Sequence, residues 1–150
     1  MTGSVFLPSE REQLAFGAAL AERLPPGSLL FLEGELGTGK TTLVRGLARR
    51  LGVSGRVSSP TFTLIQSYPT PQGPLVHADL YRLADPAPLL ELGLEELLSS
   101  CRLAAIEWGE ALYPSYPQAA VLRLSYAPPG RSARWISGPP QGSWSGSEAK

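Results

Sequence analysis

The chain has 150 residues, 16.0 kDa of mass, and 43% hydrophobic against 17% charged residues, which gives it enough apolar material for one core and excludes disorder along its whole length. Its 13 basic and 13 acidic residues cancel, which disfavours autonomous nucleic-acid binding. One cysteine, Cys101, excludes an intrachain disulfide, and the absence of a basic leader or a long apolar run predicts a cytoplasmic protein with no membrane segment.

In chain order, Ser9 followed three residues later by Glu12 reads as a capping box. Leu14, Gly17, Ala18, Ala21 and Leu24 recur at helical spacing until Pro25-Pro26-Gly27 ends the helix. Residues 28–33 read as a buried strand, followed by a Gly-rich loop and a helix over 41–51 that stops at Gly52. Residues 53–60 are Ser/Gly-rich and read as a loop. Residues 62–68 and 74–82 are strand-like, and Pro69-Thr70-Pro71-Gln72-Gly73 between them predicts a hairpin. Asp85-Pro86 predicts a helix start, and a Leu-rich helical segment runs to about residue 100 with an interruption near Gly93. Residues 103–106 read as a second buried strand, ending at Glu107. Residues 119–126 and 131–136 alternate as a further hairpin around Pro128-Pro129-Gly130. Gly, Ser and Pro dominate from Gly138, so residues 138–150 are expected to be a mobile tail behind a single domain over 1–137.

Gly34-Glu35-Leu36-Gly37-Thr38-Gly39-Lys40-Thr41 matches G-x-x-x-x-G-K-[ST], after an apolar strand and at the opening of a helix. Glycines here let the backbone wrap closely around an oxyanion. The backbone amides of Leu36, Gly37, Thr38, Gly39, Lys40, Thr41 and Thr42 are the expected phosphate donors, with the positive end of the helix behind them. Lys40 places a cation at the β- and γ-phosphates, and the Thr41 hydroxyl suits Mg²⁺. Only Lys40 and Lys150 are lysines against eleven arginines, so a lysine at the required place is informative. The plainer alternative is an ordinary Gly-rich turn between strand and helix.

Phosphate-loop proteins need a carboxylate at the end of a neighbouring strand. Glu107 is the best candidate, against the alternative of an ordinary strand-terminal residue. In residues 76–81, strand alternation puts Val76, Ala78 and Leu80 on a core face and His77, Asp79 and Tyr81 on the other. That second face is either a site, with Asp79 reaching the metal or the attacking water, or the solvated side of a hairpin. Ser59-Pro60-Thr61-Phe62 lies where a switch segment would sit, with Thr61 able to sense a γ-phosphate, and is otherwise a turn-forming loop. A GTPase is disfavoured, because the Asn-Lys-x-Asp base-reading segment needs an asparagine and the chain has none.

The segments at 34–42, 59–62, 77–82 (His77-Ala78-Asp79-Leu80-Tyr81-Arg82), 93–96 (Gly93-Leu94-Glu95-Glu96) and 106–108 (Ile106-Glu107-Trp108) together resemble the bacterial TsaE (YjeE) family, the ATPase needed to form threonylcarbamoyladenosine in tRNA. The resemblance implies an α/β fold, a P-loop NTPase-like mixed β-sheet flanked by helices with β-hairpin additions. It implies ATP with Mg²⁺, with Gly34 in the phosphate loop, Thr41 and Glu107 as metal ligands, Asp79 as a catalytic or metal-associated acid, and either Asp79 or Glu107 positioning the attacking water while Lys40 holds the phosphates. Trp108 would lie near the nucleotide, and Ser59, Pro60, Thr61 and Phe62 would form the switch. Arg131 is a candidate nucleotide contact, an ordinary edge-strand arginine being the alternative. Family members work with the TsaD and TsaB subunits, so ATP hydrolysis would load or reset that complex and tRNA would be met only indirectly. Without an evident arginine finger, unless Arg82 substitutes for one, turnover is expected to be slow until a partner completes the site. Two other classes compete: a small-molecule kinase, and a non-catalytic nucleotide-sensing switch.

Overall fold

The computed structural model describes residues 4–35, 37–54, 57, 65–80 and 93–138. Its elements are β1 (Ser4–Leu7), α1 (Glu10–Arg23), β2 (Ser28–Glu33), α2 (Lys40–Leu51), β3 (Ile65–Tyr68), β4 (Leu75–Asp79), α3 (Leu94–Ser100), β5 (Leu103–Glu107), a 3-10 helix (Glu110–Ser115), β6 (Ala120–Ala127) and β7 (Gly130–Ser137). They form one seven-stranded sheet in the order β1-β7-β6-β2-β5-β4-β3. The centre, β6-β2-β5-β4, is parallel, while β7 and β1 at one side and β3 at the other are antiparallel. This is the mixed sheet flanked by helices expected from the sequence, with both hairpins in place.

Parallel strands are buried on both faces, and their sequences show it. Along β2, Leu30 and Leu32 join a core with Phe16 and Leu20 of α1 and Leu43, Val44 and Leu47 of α2. Phe31 faces the other way, with Ala78, Ile106, Leu94 of α3 and Leu112 of the 3-10 helix. Each fully buried Leu or Phe stabilises the fold by roughly 1.5–3 kcal/mol.

Several local expectations change. The Ser9–Glu12 box is not formed: Ser9 has extended N-cap geometry, but its hydroxyl donates to the Glu12 carboxylate and makes no cap bond to the backbone. Strand β1 went unnoticed in the sequence because it shows only Val5 and Leu7, inward residues of a four-residue strand beside outward Ser4 and Phe6. It completes the sheet edge by pairing with β7. Strand β4 stops at Asp79, short of the expected residue 82; Leu80 lies beyond it, and Tyr81 and Arg82 are outside the described residues. The solvated-hairpin alternative for the His77 face is overturned, because β4 is an interior strand and His77 is 0% exposed. The remainder of the expected strand 62–68 ahead of Ile65, the helix start at Asp85-Pro86 and residues 139–150 of the tail lie outside the described residues.

Arg102 closes the end of α1, its guanidinium donating to the carbonyls of Leu24 (3.1 Å) and Ala21 (2.7 Å). Helices α1 and α2 approach so closely that a Cβ at Gly46 would collide with the Leu14 carbonyl. Gly46→Leu is therefore expected to cost about 2–3 kcal/mol. Urea denaturation checks this; a change below about 0.5 kcal/mol would mean that the two helices do not touch there.

Candidate functional site

The loop between β2 and α2 is built by left-handed backbone that only glycine takes readily: Gly37 has φ 82° and Gly39, the residue before α2, has φ 99°. Added carbon at either would collide with a neighbour, the Gln13 amide at Gly39 and the Tyr126 hydroxyl at Gly37. Gln13 of α1 and Tyr126 of β6 thus stand directly against the loop. No side chain caps α2, so the amides of its first turn are available at the cavity. Thr38 is buried, and its hydroxyl donates to the Glu35 carbonyl (2.7 Å), which stiffens the turn from within.

A cavity of about 310 Å³ lies beneath the loop, lined by Gly37, Gly39, Lys40, Thr41, Thr42, Asp79 and Glu107. Three elements meet there. Parallel pairing sets Leu32 opposite Glu107 and Asp79 opposite Glu107, so both acids stand at the carboxyl ends of adjacent strands, on the face that carries α2. Glu107 is 3% exposed and accepts a hydrogen bond from His77 Nε2 at 2.7 Å.

Lys40 donates to the Gly34 carbonyl (2.5 Å), and its ammonium lies 4.2 Å from the ring centroid of Trp108. Trp108 holds φ 58°, the one positive value outside glycine among the described residues; this strained turn directly after β5 aims the indole at the loop. Burial lowers the Lys40 pKa below its ordinary 10.5, against the upward pull of Glu107, Asp79 and Glu110. On the opposite side of the loop, Arg131 donates to the Gly37 carbonyl (3.3 Å), and its guanidinium stacks 4.8 Å from the Tyr126 ring centroid.

A second hollow of about 520 Å³ adjoins the loop's outer side, between Gly34, Thr38, Trp108, Arg123 and Tyr126. At its floor Glu33, the last residue of β2, accepts from Tyr113 (2.6 Å) and Arg123 (2.9 Å). Burial and the Glu33 bond push the Tyr113 phenol up, so it remains a donor.

Of the residues singled out in the sequence, Gly37, Gly39, Lys40, Thr41, Thr42, Asp79 and Glu107 share one cavity. Gly34 and Trp108 join it through Lys40, and Arg131 touches the loop at Gly37. Leu36 and Ser59, Pro60, Thr61 and Phe62 lie outside the described residues. Sequence reasoning missed Gln13, Tyr126, Glu33, Tyr113 and Arg123. Their approach is set by tertiary packing, and only the buried position of an isolated polar residue, such as Gln13 on the inner face of α1, hinted at any of them. Among the described residues no three His, Cys, Asp or Glu side chains converge on one point. Likewise no described helix is long and apolar enough to cross a membrane.

The depressed Lys40 pKa has a sign that can be tested. A lysine whose folded pKa lies below its unfolded value reduces stability while it is protonated in both states. That cost fades as pH rises through the folded pKa toward 10.5. Without ligand, Lys40→Met is expected to be at least as stable as the parent at about pH 7, and the parent should gain on it by about pH 10. Urea melts at the two pH values check this; a variant clearly less stable at the lower pH would show that the facing carboxylates outweigh the burial cost.

Residues 7–135 match the family model described as threonylcarbamoyl adenosine biosynthesis protein TsaE. The chain is 36% identical over 138 residues to the tRNA threonylcarbamoyladenosine biosynthesis protein TsaE of Haemophilus influenzae, covering 88% of this chain and 87% of that protein. It is 44% identical over 112 residues to the protein of the same name from Nostoc, covering 72% and 68% of the two chains. Its fold is similar to the crystal structure of YdiB from Bacillus subtilis, with a TM-score of 0.70 and 29% identity over 90% of this chain and 86% of that one. With a match that runs from the end of β1 into β7 and takes in both helices of the loop face, the chain belongs to the TsaE family.

Proposed function

We propose that the protein is a magnesium-dependent ATPase of the cytoplasm and an accessory subunit in tRNA threonylcarbamoyladenosine biosynthesis. Family membership supports the pathway. The observation that carries the chemistry is the single cavity in which a glycine cradle and Lys40 face Thr41, Asp79 and Glu107.

The donor set fits the proposed ligands. A collar of backbone amides and one ammonium suits the triphosphate of ATP. One hydroxyl and one or two carboxylates suit Mg²⁺, which completes its shell with water and phosphate oxygens rather than an all-protein cage. Thr41 and Glu107 would hold the ion. When bound, the ion neutralises charge between the β- and γ-phosphates. Lys40 leaves the Gly34 carbonyl and the Trp108 face for the phosphates. Glu107 is held by His77 as the metal-facing acid, and Asp79, half-buried at the neighbouring strand end and lining the same cavity, is assigned to orient water for in-line attack. Arg131, already against Gly37, follows the loop and touches the nucleotide. TsaD and TsaB are the proposed partners, with tRNA met only through them. Hydrolysis then loads or resets that complex.

Calorimetric titration with ATP and ADP, followed by an assay for phosphate release, tests this. Lys40→Ala should weaken nucleotide binding by about 100-fold or more, the loss of a charged phosphate contact together with its loop order. Asp79→Asn should keep binding within about threefold while lowering phosphate release by about 100-fold. Unchanged nucleotide affinity in Lys40→Ala would refute the site. A phosphorylated small molecule in place of free phosphate would make the protein a kinase, and no phosphate even with TsaD and TsaB present would make it a switch.

A further inference from the structure

His77 is the chain's one histidine, is 0% exposed, and has no part in the chemistry assigned above. Its Nε2 lies 2.7 Å from Glu107 Oε2. A carboxylate has no proton to give, so the ring must carry its proton on Nε2 and donate. The other ring nitrogen, Nδ1, is buried and without a hydrogen-bond partner. A histidine kept only to fill the core would be a poor choice, because an apolar side chain packs there without an unmet nitrogen.

The sheet explains how the ring reaches its target. His77 stands opposite Ala105 and Asp79 stands opposite Glu107, so His77 and Glu107 are diagonal neighbours on one face. The methyl side chain of Ala105 leaves the room through which the imidazole leans toward Glu107. Without that bond the Glu107 carboxylate would be free to spread over its rotamers. With it, Oε2 is engaged and Oε1 is the oxygen left for the cavity.

We infer that His77 is a positioning residue that holds the Glu107 carboxylate in one orientation for a divalent cation. The inference rests on the reading of Glu107 as the metal-facing acid. It acts through Glu107 alone and touches neither phosphate nor water. Outer partners that orient a metal ligand are typically worth about 10–100-fold in metal affinity.

The test compares ADP affinity in EDTA with ADP affinity in Mg²⁺, by calorimetry, for the parent, His77→Leu and His77→Gln. His77→Leu removes the donor; His77→Gln returns an N–H close to the Nε2 position. The parent must first bind ADP more tightly with Mg²⁺; a parent indifferent to Mg²⁺ overturns the reading of the site and the inference with it. Given that response, His77→Leu should keep its affinity in EDTA within about twofold and lose about tenfold of the Mg²⁺ gain, and His77→Gln should recover most of it. A full Mg²⁺ gain in His77→Leu, equal losses in the two variants, or a matching loss in EDTA overturns the positioning role. Should His77→Leu not fold, nitrogen NMR of the parent imidazole decides. A proton on Nε2 whose signal moves with Mg²⁺ and ADP, but not with ADP in EDTA, supports the inference. A proton on Nδ1 alone, or no Mg²⁺-specific movement, overturns it.

Discussion

The site exists because β2, β5 and β4 run parallel and end at the same level, with α2 starting immediately beyond β2. That arrangement sets the ammonium of Lys40 against the carboxylates of Glu107 and Asp79 across a small cavity. Neither charge would be tolerated alone at such depth. Lysine loses hydration on entering the loop, and the acids restore part of it electrostatically. The acids in turn are held at strand ends, where the backbone pairing of β4 with β5 leaves them little freedom. Every other feature of this face is arranged around that opposition of charge. It also follows a general property of open α/β sheets, whose ligands sit beyond the carboxyl ends of the strands.

The loop's cations are held by the protein's own carbonyls and rings. Lys40 rests on the Gly34 carbonyl and the Trp108 ring, and Arg131 on the Gly37 carbonyl and the Tyr126 ring. Each contact is a carbonyl dipole plus a π face, the kind of weak substitute that an anion displaces readily. The left-handed backbone at Trp108 costs energy, and the return is an indole aimed at the lysine. The acids show the same economy. His77 lies beneath Glu107, and Tyr113 and Arg123 grip Glu33 on the opposite face, so the strand ends on both sides of the loop are braced by long-range hydrogen bonds. Family membership ties this construction to threonylcarbamoyladenosine biosynthesis, and the loop face is where its chemistry is proposed to occur.

Much of this was legible in the residues. The run 29–32 is apolar throughout because β2 is covered on both faces, and 103–106 of β5 reads the same way for the same reason. Gly52 stops α2 in the left-handed conformation expected of it. The hairpin around Pro128-Pro129-Gly130 is present with its strands antiparallel. Strand β1 was illegible because two inward residues are too few to show a period. The Ser9–Glu12 pattern misled because spacing makes the two side chains neighbours without deciding whether they bond to the backbone or to each other.

From the residues alone came a phosphate loop with its lysine, two acids placed at or near strand ends, and the family they resemble; all of these depend on neighbours in sequence, where spacing and local conformation are enough. The burial of His77 was decided only by the fold, since alternation along β4 cannot say whether a polar face meets water or helix α2. The same holds for the His77–Glu107 bond, the Lys40–Trp108 contact and the approach of Arg131 and Gln13 to the glycines. These pairs stand far apart along the chain, and strand order and register bring them together, which no local pattern encodes.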